Sequence, residues 1–350
     1  MAERAQVCVG VDLGGTKIQT AALRGRRIVG EARVPTPQGG TLEAVIDAIA
    51  GSVRSSLEAA GVATSAVQRV GIGAPGEIDA EAGTVTRAVN VPGFDGQVVP
   101  LAELVSKALG GGPSVRVDND VRVGVLGEHR AGAGRPYRNM LGVWLGTGVG
   151  GGLVLEGKLH GGRGGAGEIG HVVVRPGGRR CSCGRRGCLE AYAGRACMER
   201  RARAKEEEGT PTALFEIMRK EGRERLTSGV YARALKERDK LAVQLIGDAA
   251  RALGFALASA QNVLDLEAIV VGGGLGDRLG RRLLDQVVEV MEPHLLDREH
   301  PPVVLSTELG DLSGAVGAAL LAKQAPRRPT APRGDGRAPA PRGASPSPSA

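Results

Sequence analysis

Three apolar segments of this chain run straight into glycines: "VCVGVDLGGTK" (7–17), "LGVWLGTGVGGG" (141–152) and "AIVVGGGLG" (268–276). An apolar run of this length bounded by glycine reads as a buried strand ending in a tight turn. Glycine lets the backbone approach a ligand closely, and successive N–H groups in such a turn form a cradle for an anion. Each turn taken alone is also compatible with an ordinary hairpin. Three of them, all at strand ends, point to a phosphate site assembled from separate turns. The spacing is neither that of the P-loop nor that of the dinucleotide-binding fingerprint. The three segments differ too much in sequence to be read as a repeat.

The candidate phosphate residues are therefore Asp12, Gly14, Gly15, Thr16 and Lys17 in the first turn and Gly146, Thr147 and Gly148 in the second. Gly272, Gly273 and Gly274 supply the third, between a strand and a helix, where a nucleotide lies well against the backbone. Asp12 suits Mg²⁺, which takes oxygen ligands directly or through water.

Helical spacing follows the first strands, with apolar residues at 42, 45, 46, 49, 53 and 57. A single strand with polar interruptions is expected over 18–34. The region from about Cys188 to Ala260 is mainly helical, and the alternation elsewhere is that of an α/β protein. At 350 residues the chain is long for one core, so two domains are expected. Aromatic residues make up only 2% of it, so the cores must be built from Ala, Val, Leu and Ile.

The net charge of +8 resembles a nucleic-acid signal, but half of it sits in residues 325–350, where five Arg meet one Asp. That Pro/Arg/Ala/Ser-rich tail has almost no large apolar residue and reads as a disordered, solvated segment. No nucleic-acid partner is expected. The N-terminus enters an apolar strand at once, without a signal peptide, and no apolar run approaches the ~18 residues of a membrane span. A cytoplasmic protein without membrane contact is expected.

"VDNDV" (117–121) places Asn119 and Asp120 at a strand-to-helix junction. Both residue types favour helix N-caps. The same pair would also serve as a carboxylate aimed at a substrate hydroxyl, with its neighbour amide binding beside it.

"GEIGHVVVRPGGRRCSCGRRGCLE" (167–190) carries His171, Cys181, Cys183 and Cys188. A C-x-C-x₄-C run with one His offers the Cys₃His set of a closed, tetrahedral structural zinc site. No second His follows, which separates it from a DNA-reading finger. Cys8 and Cys197 fall in a strand and a helix and read as inert core thiols. Glu168 and Glu190 flank the cluster, as ligand-facing carboxylates or as plain surface charge.

Taken in order, "VDLGGTK", "GIGAPGEID", "DNDVRVGVLGE", "LGTGVGGGLVLEGKLHGGRGGAGEIGH", "CSCGRRGCLE" and "IVVGGGL" resemble the motifs of the ROK family (repressor, open reading frame, kinase). The likeness runs from about Val7 to Ala322 and is nearest to the ATP-dependent glucokinases of that family. It implies a two-lobed actin/hexokinase-like (ribonuclease H-like) α/β fold with a central cleft and a zinc knuckle. The expected lobes are 1–118 with 311–324, and 119–310, the last helix returning to the first lobe.

The resemblance also implies roles. Asp120 would be the general base for the sugar 6-hydroxyl, with glucose as substrate and ATP and Mg²⁺ as donor and cofactor. Asn119, Glu168, His171 and Glu190 would bind sugar hydroxyls, His171 using its second ring nitrogen for the metal. Homo-oligomers are common in the family and are expected here. A kinase of N-acetylmannosamine, N-acetylglucosamine or fructose is a neighbouring alternative. A sugar-sensing regulator is an alternative of another class, but only eleven residues precede Asp12, too few for a helix-turn-helix domain. Three positions depart from the usual pattern: Arg122 where a second Asn is common, Phe94 where Trp is common, and "DLE" (265–267) before the third turn.

Overall fold

The computed structural model describes residues 6–88 and 90–324; the basic tail (325–350) lies outside the described residues. Five strands form the first sheet: β1 (Val7–Leu13), β2 (Lys17–Arg24), β3 (Arg27–Pro35), β4 (Arg69–Ala74) and, past a small hairpin of β5 (Glu77–Asp79) and β6 (Thr84–Thr86), β7 (Ser114–Asn119). Their order is β3-β2-β1-β4-β7, with β1, β2 and β3 antiparallel and β4 and β7 parallel to β1. The second sheet contains β8 (Met140–Leu145), β9 (Val149–Leu155), β10 (Lys158–His160), β11 (Ala268–Gly272) and β12 (Val303–Ser306). Its order, β10-β9-β8-β11-β12, repeats the first, with the same pattern of directions.

The chain is thus a topological duplication that its sequence does not display. The stretch over 18–34 is not one strand but two, folded back at Gly25, which sits at φ +66°. The duplication also explains two of the glycine segments. Residues 14–16 and 146–148 are the turns between the first and second strands of their respective sheets.

Helices α1 (Leu42–Ala59) and α2 (Leu101–Ala108) cover the first sheet. Thr41 caps α1 by accepting from the Ala44 amide. The core between them is aliphatic, as the scarcity of aromatic residues requires, with Val9, Val11, Leu13, Ile49, Leu57 and Ile72 buried. Phe94 is fully buried in the same core. The second sheet packs against a helical layer made of α4 (Glu190–Ala193), α5 (Arg195–Glu207), α6 (Leu214–Lys220), α7 (Ser228–Lys236), α8 (Lys240–Leu264), α9 (Gly273–Leu279) and α10 (Arg281–Met291). Helix α8 is long and apolar enough to cross a membrane by length and composition, yet 67% of its most apolar window is buried inside the protein. Its apolar residues are spent on the core.

Helices α3 (Asp120–Ala131) and α11 (Ser313–Ala322) lie against each other between the sheets. A Cβ on Gly317 would stand 1.6 Å from the Val123 carbonyl oxygen, so only glycine permits this approach. On its other side α11 packs Ala315, Val316 and Ala319 against Ala21 and Leu23 of the first sheet. α3 in turn packs Val125 against Met140 and Val154 of the second.

Glu128 of α3 is fully buried and ties this junction together. Its carboxylate accepts from the amides of Ala133 (3.0 Å), Glu308 (3.0 Å) and Leu309 (2.9 Å) and from the Ser313 hydroxyl (2.6 Å). A buried carboxylate is tolerated because its lone pairs are filled by donors. The consequence is a fixed path for residues 308–313, which lead into α11.

Candidate active site

The cleft opens at the ends of the central strands of both sheets. Asp12, near the end of β1, lines it together with Asp120, Val121, Trp144, Gly273, Gly274 and Asp277 of α9, Gly310, Asp311 and Gly314. Lys17 also lines it and is ion-paired with Asp311 at 2.8 Å.

Burial raises the Asp12 carboxyl to about 7, the negative charges of Asp120 and Asp311 add to the rise, and Lys17 opposes it. Two half-buried carboxylates that line one cleft repel, so a cation beside them is favoured. An all-oxygen donor set of this kind fits Mg²⁺.

Asn119 caps α3, its Oδ1 accepting from the amides of Val121 (3.0 Å) and Arg122 (3.2 Å). Its Nδ2 donates to Asp120 Oδ1 at 2.9 Å, and the Val121 amide donates to the same oxygen at 2.9 Å. The cap and the cleft carboxylate are therefore one device, because the cap fixes where the first helical side chain points. Burial pushes the Asp120 carboxyl up; the hydrogen bonds to Val121 and Asn119 oppose the rise, and the charge of Glu168 adds to it. Arg122 does not reach into this arrangement through an amide as an Asn would. It pairs instead with Asp118 at 3.4 Å, both side chains being buried.

The cysteines and the histidine converge. The ligand atoms of His171, Cys181, Cys183 and Cys188 lie within 4.8 Å of one another. Cys181 Sγ is 3.9 Å from His171 Nδ1, and Cys183 Sγ is 3.8 Å from Cys188 Sγ. A tetrahedron with Zn–S bonds of about 2.3 Å has edges of about 3.8 Å, so the four residues fit zinc. Nδ1 faces the thiols, which leaves Nε2 of His171 for another partner.

Glu190 is held at the edge of this cluster. Its Oε1 accepts from the Ser182 hydroxyl and its Oε2 from the Val149 amide at 3.0 Å. A Cβ on Gly148 would stand 2.3 Å from Glu190 Oε2, so that glycine makes room for the carboxylate. The turn at 146–148 is therefore shared between the hairpin and Glu190. Gly146 N donates to Gly148 O at 3.0 Å, closing it.

Sequence reasoning placed Asp12, Lys17, Asp120, Gly273 and Gly274 at what proves to be one cleft. Gly14, Gly15 and Thr16 form the β1–β2 turn beside it; Gly272 ends β11. Trp144, Asp277 and Asp311 line the cleft too and were not singled out. Asp277 lies one helical turn after Gly273, and Asp311 precedes α11 in "GDLSG". That position is the only local signal either carries. Glu267, from the atypical "DLE", accepts from the amides of Arg138 (2.7 Å) and Asn139 (2.6 Å), away from the cleft.

The sequence profile of the ROK family matches residues 8–325. The chain is 37% identical to the glucokinase of Streptomyces coelicolor over 333 residues, 90% of this chain and 97% of that protein. It is likewise 37% identical to the glucokinase of Halalkalibacterium halodurans, covering 90% of this chain and 94% of the other. Its fold superposes on a ROK family glucokinase from Streptomyces griseus, solved in complex with glucose and AMPPNP, with a TM-score of 0.74 and 35% identity over 91% of this chain and all of that one. The chain belongs to the ROK family.

Proposed function

We propose that the protein transfers the terminal phosphoryl group of ATP to the 6-hydroxyl of glucose, giving glucose 6-phosphate and ADP. The observation that carries this reading is the place of Asp120. Its carboxylate stands at the start of α3 in the cleft, close enough to Asp12 and to Glu168 for their charges to act on one another. A donor phosphate on the Asp12 side and a sugar on the Glu168 side would meet at Asp120. The glucokinase relatives and the glucose-bound neighbour support the choice of sugar.

The chemistry follows from the residues. Asp120 accepts the proton of the 6-hydroxyl as the oxygen attacks, which a carboxylate raised by burial does better than a free one. Asn119 holds that carboxylate in place. Glu168, Glu190 and Nε2 of His171 orient the remaining hydroxyls. Bound zinc would fix the loop that carries His171 and Ser182, and so the angle of Glu190. Lys17 and the turns at 14–16, 146–148 and 272–274 position the phosphates, since such transfers depend on alignment and charge neutralisation. Mg²⁺ held at Asp12 would supply part of that neutralisation.

The lobes of this reading are residues 6–118 with 311–324, and 119–310. The two passages between them, α3 and α11, pack on each other, so they form a natural hinge. Closure about it would exclude water, the competing acceptor. A cytoplasmic location accompanies the reading, because ATP is supplied there.

The test is an ADP-release assay with Mg-ATP and glucose, mannose, fructose, N-acetylglucosamine and N-acetylmannosamine. Turnover is expected to be greatest with glucose and to fall by about 10²- to 10⁴-fold in Asp120→Asn, with sugar binding retained. Turnover undiminished in that variant would remove Asp120 from the mechanism. Preference for another sugar would correct the substrate.

A further inference from the structure

We propose that Arg195 binds the phosphate chain of the donor nucleotide; the inference rests on the kinase reading above. Arg195 is the first residue of α5, and its backbone is docked on the β8–β9 turn. The Arg195 amide donates to Gly146 O at 3.2 Å, and the Ala196 amide to Thr147 O at 3.0 Å. The guanidinium lies back over the same turn, with one terminal nitrogen 3.4 Å from the Thr147 hydroxyl.

This cation lacks an anion. No carboxylate stands within ion-pair distance of it among the described residues. Glu199, the acid whose charge acts on it, is already engaged by Arg203 at 2.6 Å, by Arg225 at 3.6 Å and by the Leu226 amide at 3.2 Å. Arg195 Nε is buried without a hydrogen-bond partner, and so is the neighbouring Tyr231 hydroxyl. Desolvating a guanidinium is costly unless a partner fills its donors. A planar fork of N–H donors beside a glycine turn and a threonine hydroxyl matches phosphate oxygens. Burial also draws the Arg195 pKa downward, the direction expected of a cation short of counter-charge.

The turn does not stand alone. Gly273, at φ +77°, brings the start of α9 against β8: a Cβ there would be 2.7 Å from the Leu145 amide nitrogen. The β8–β9 turn on which Arg195 docks is thus continuous, through Leu145, with the strand end that the third glycine segment packs against. A phosphate chain running between those two turns would supply the missing anion. Arg195 would hold the donor in line and carry part of its charge.

The experiment is calorimetric titration of the zinc-loaded protein with adenosine, ADP and ATP in the presence of Mg²⁺, beside steady-state kinetics. In Arg195→Ala the affinity for ADP and ATP should fall by about 10- to 100-fold, the range of a hydrogen bond to a charged group. Adenosine affinity and the KM for glucose should stay within about twofold. Arg195→Lys, which keeps the charge but not the fork, should fall between and serves if the alanine variant does not fold. Unchanged affinity for ADP and ATP in both variants would overturn the proposal. An equal loss for adenosine would also overturn it, because that marks a role in shaping the site instead of a phosphate contact. A wild-type protein that binds no nucleotide would sink the kinase reading itself, whereas one that turns over ATP with an indifferent Arg195 sinks only this inference.

Discussion

Gly314 lies directly beneath the carboxylate of Asp12: a Cβ on Gly314 would stand 2.5 Å from the Asp12 carboxyl carbon and 2.6 Å from its Oδ2. The first turn of α11 is thus the floor on which the cleft carboxylate rests. Gly314→Ala must push Asp12 aside. The substitution also removes a helical glycine, which by itself favours the folded state by about 1 kcal/mol. The two effects separate cleanly. The expected outcome is a kcat lower by about 10²-fold, the cost of displacing a group by about 1 Å, with the KM for glucose unchanged and Tm nearly so. A variant with normal kcat and a depressed Tm would show that Asp12 has no fixed catalytic position.

The Cys₃His cluster, which fits zinc, should give the opposite pattern. Cys188 is fully buried, 3.8 Å from Cys183, and Glu190 is tied to Ser182 within the same loop. In Cys188→Ser, or after chelation, the loop loses its anchor while α9 and the turns at 14–16 and 272–274 keep theirs. Glucose KM is expected to rise by about 10- to 100-fold, and ADP affinity measured without sugar to stay constant. Metal analysis and calorimetry on the same samples check it. Full glucose affinity in zinc-free protein would remove the metal from the sugar site.

Much of this was legible in the sequence, and the reasons differ between residues. The Cys₃His set could be read because ligand type and spacing carry the chemistry locally. Asn119 and Asp120 could be read because a helix cap and a carboxylate that lines the cleft occupy adjacent positions. The repeat could not be read: "LGGTK" and "LGTGV" answer different demands, the first seating Lys17 and the second yielding space to Glu190. Asp277 and Asp311 escaped because nothing in their neighbourhoods marks them. They reach the cleft only once α9 follows the turn at Gly273 and Glu128 fixes residues 308–313. Arg195 escaped for the same reason, since a lone basic residue at a helix start is ordinary until its lack of a partner is seen.

Asp12 ties stability to pH with a definite sign. In the folded protein its carboxyl is raised to about 7, first by burial and then by Asp120 and Asp311. In the unfolded chain it ionises near pH 4. Between about pH 4 and 7 the folded state holds a proton that the unfolded state has lost, so this group lowers stability as pH rises through that window and adds nothing further above it. Asp12→Asn abolishes the term. The Tm of the variant minus that of the wild type, measured without nucleotide, should therefore climb from about pH 4.5 to about 7.5 and then level off. Mg-nucleotide binding runs the other way, because it needs the ionised carboxylate: wild-type affinity should rise toward pH 7 and the variant's should stay weak and flat. A Tm difference independent of pH would mean that Asp12 ionises in the folded protein as it does in water, and that its charge is balanced without a cation.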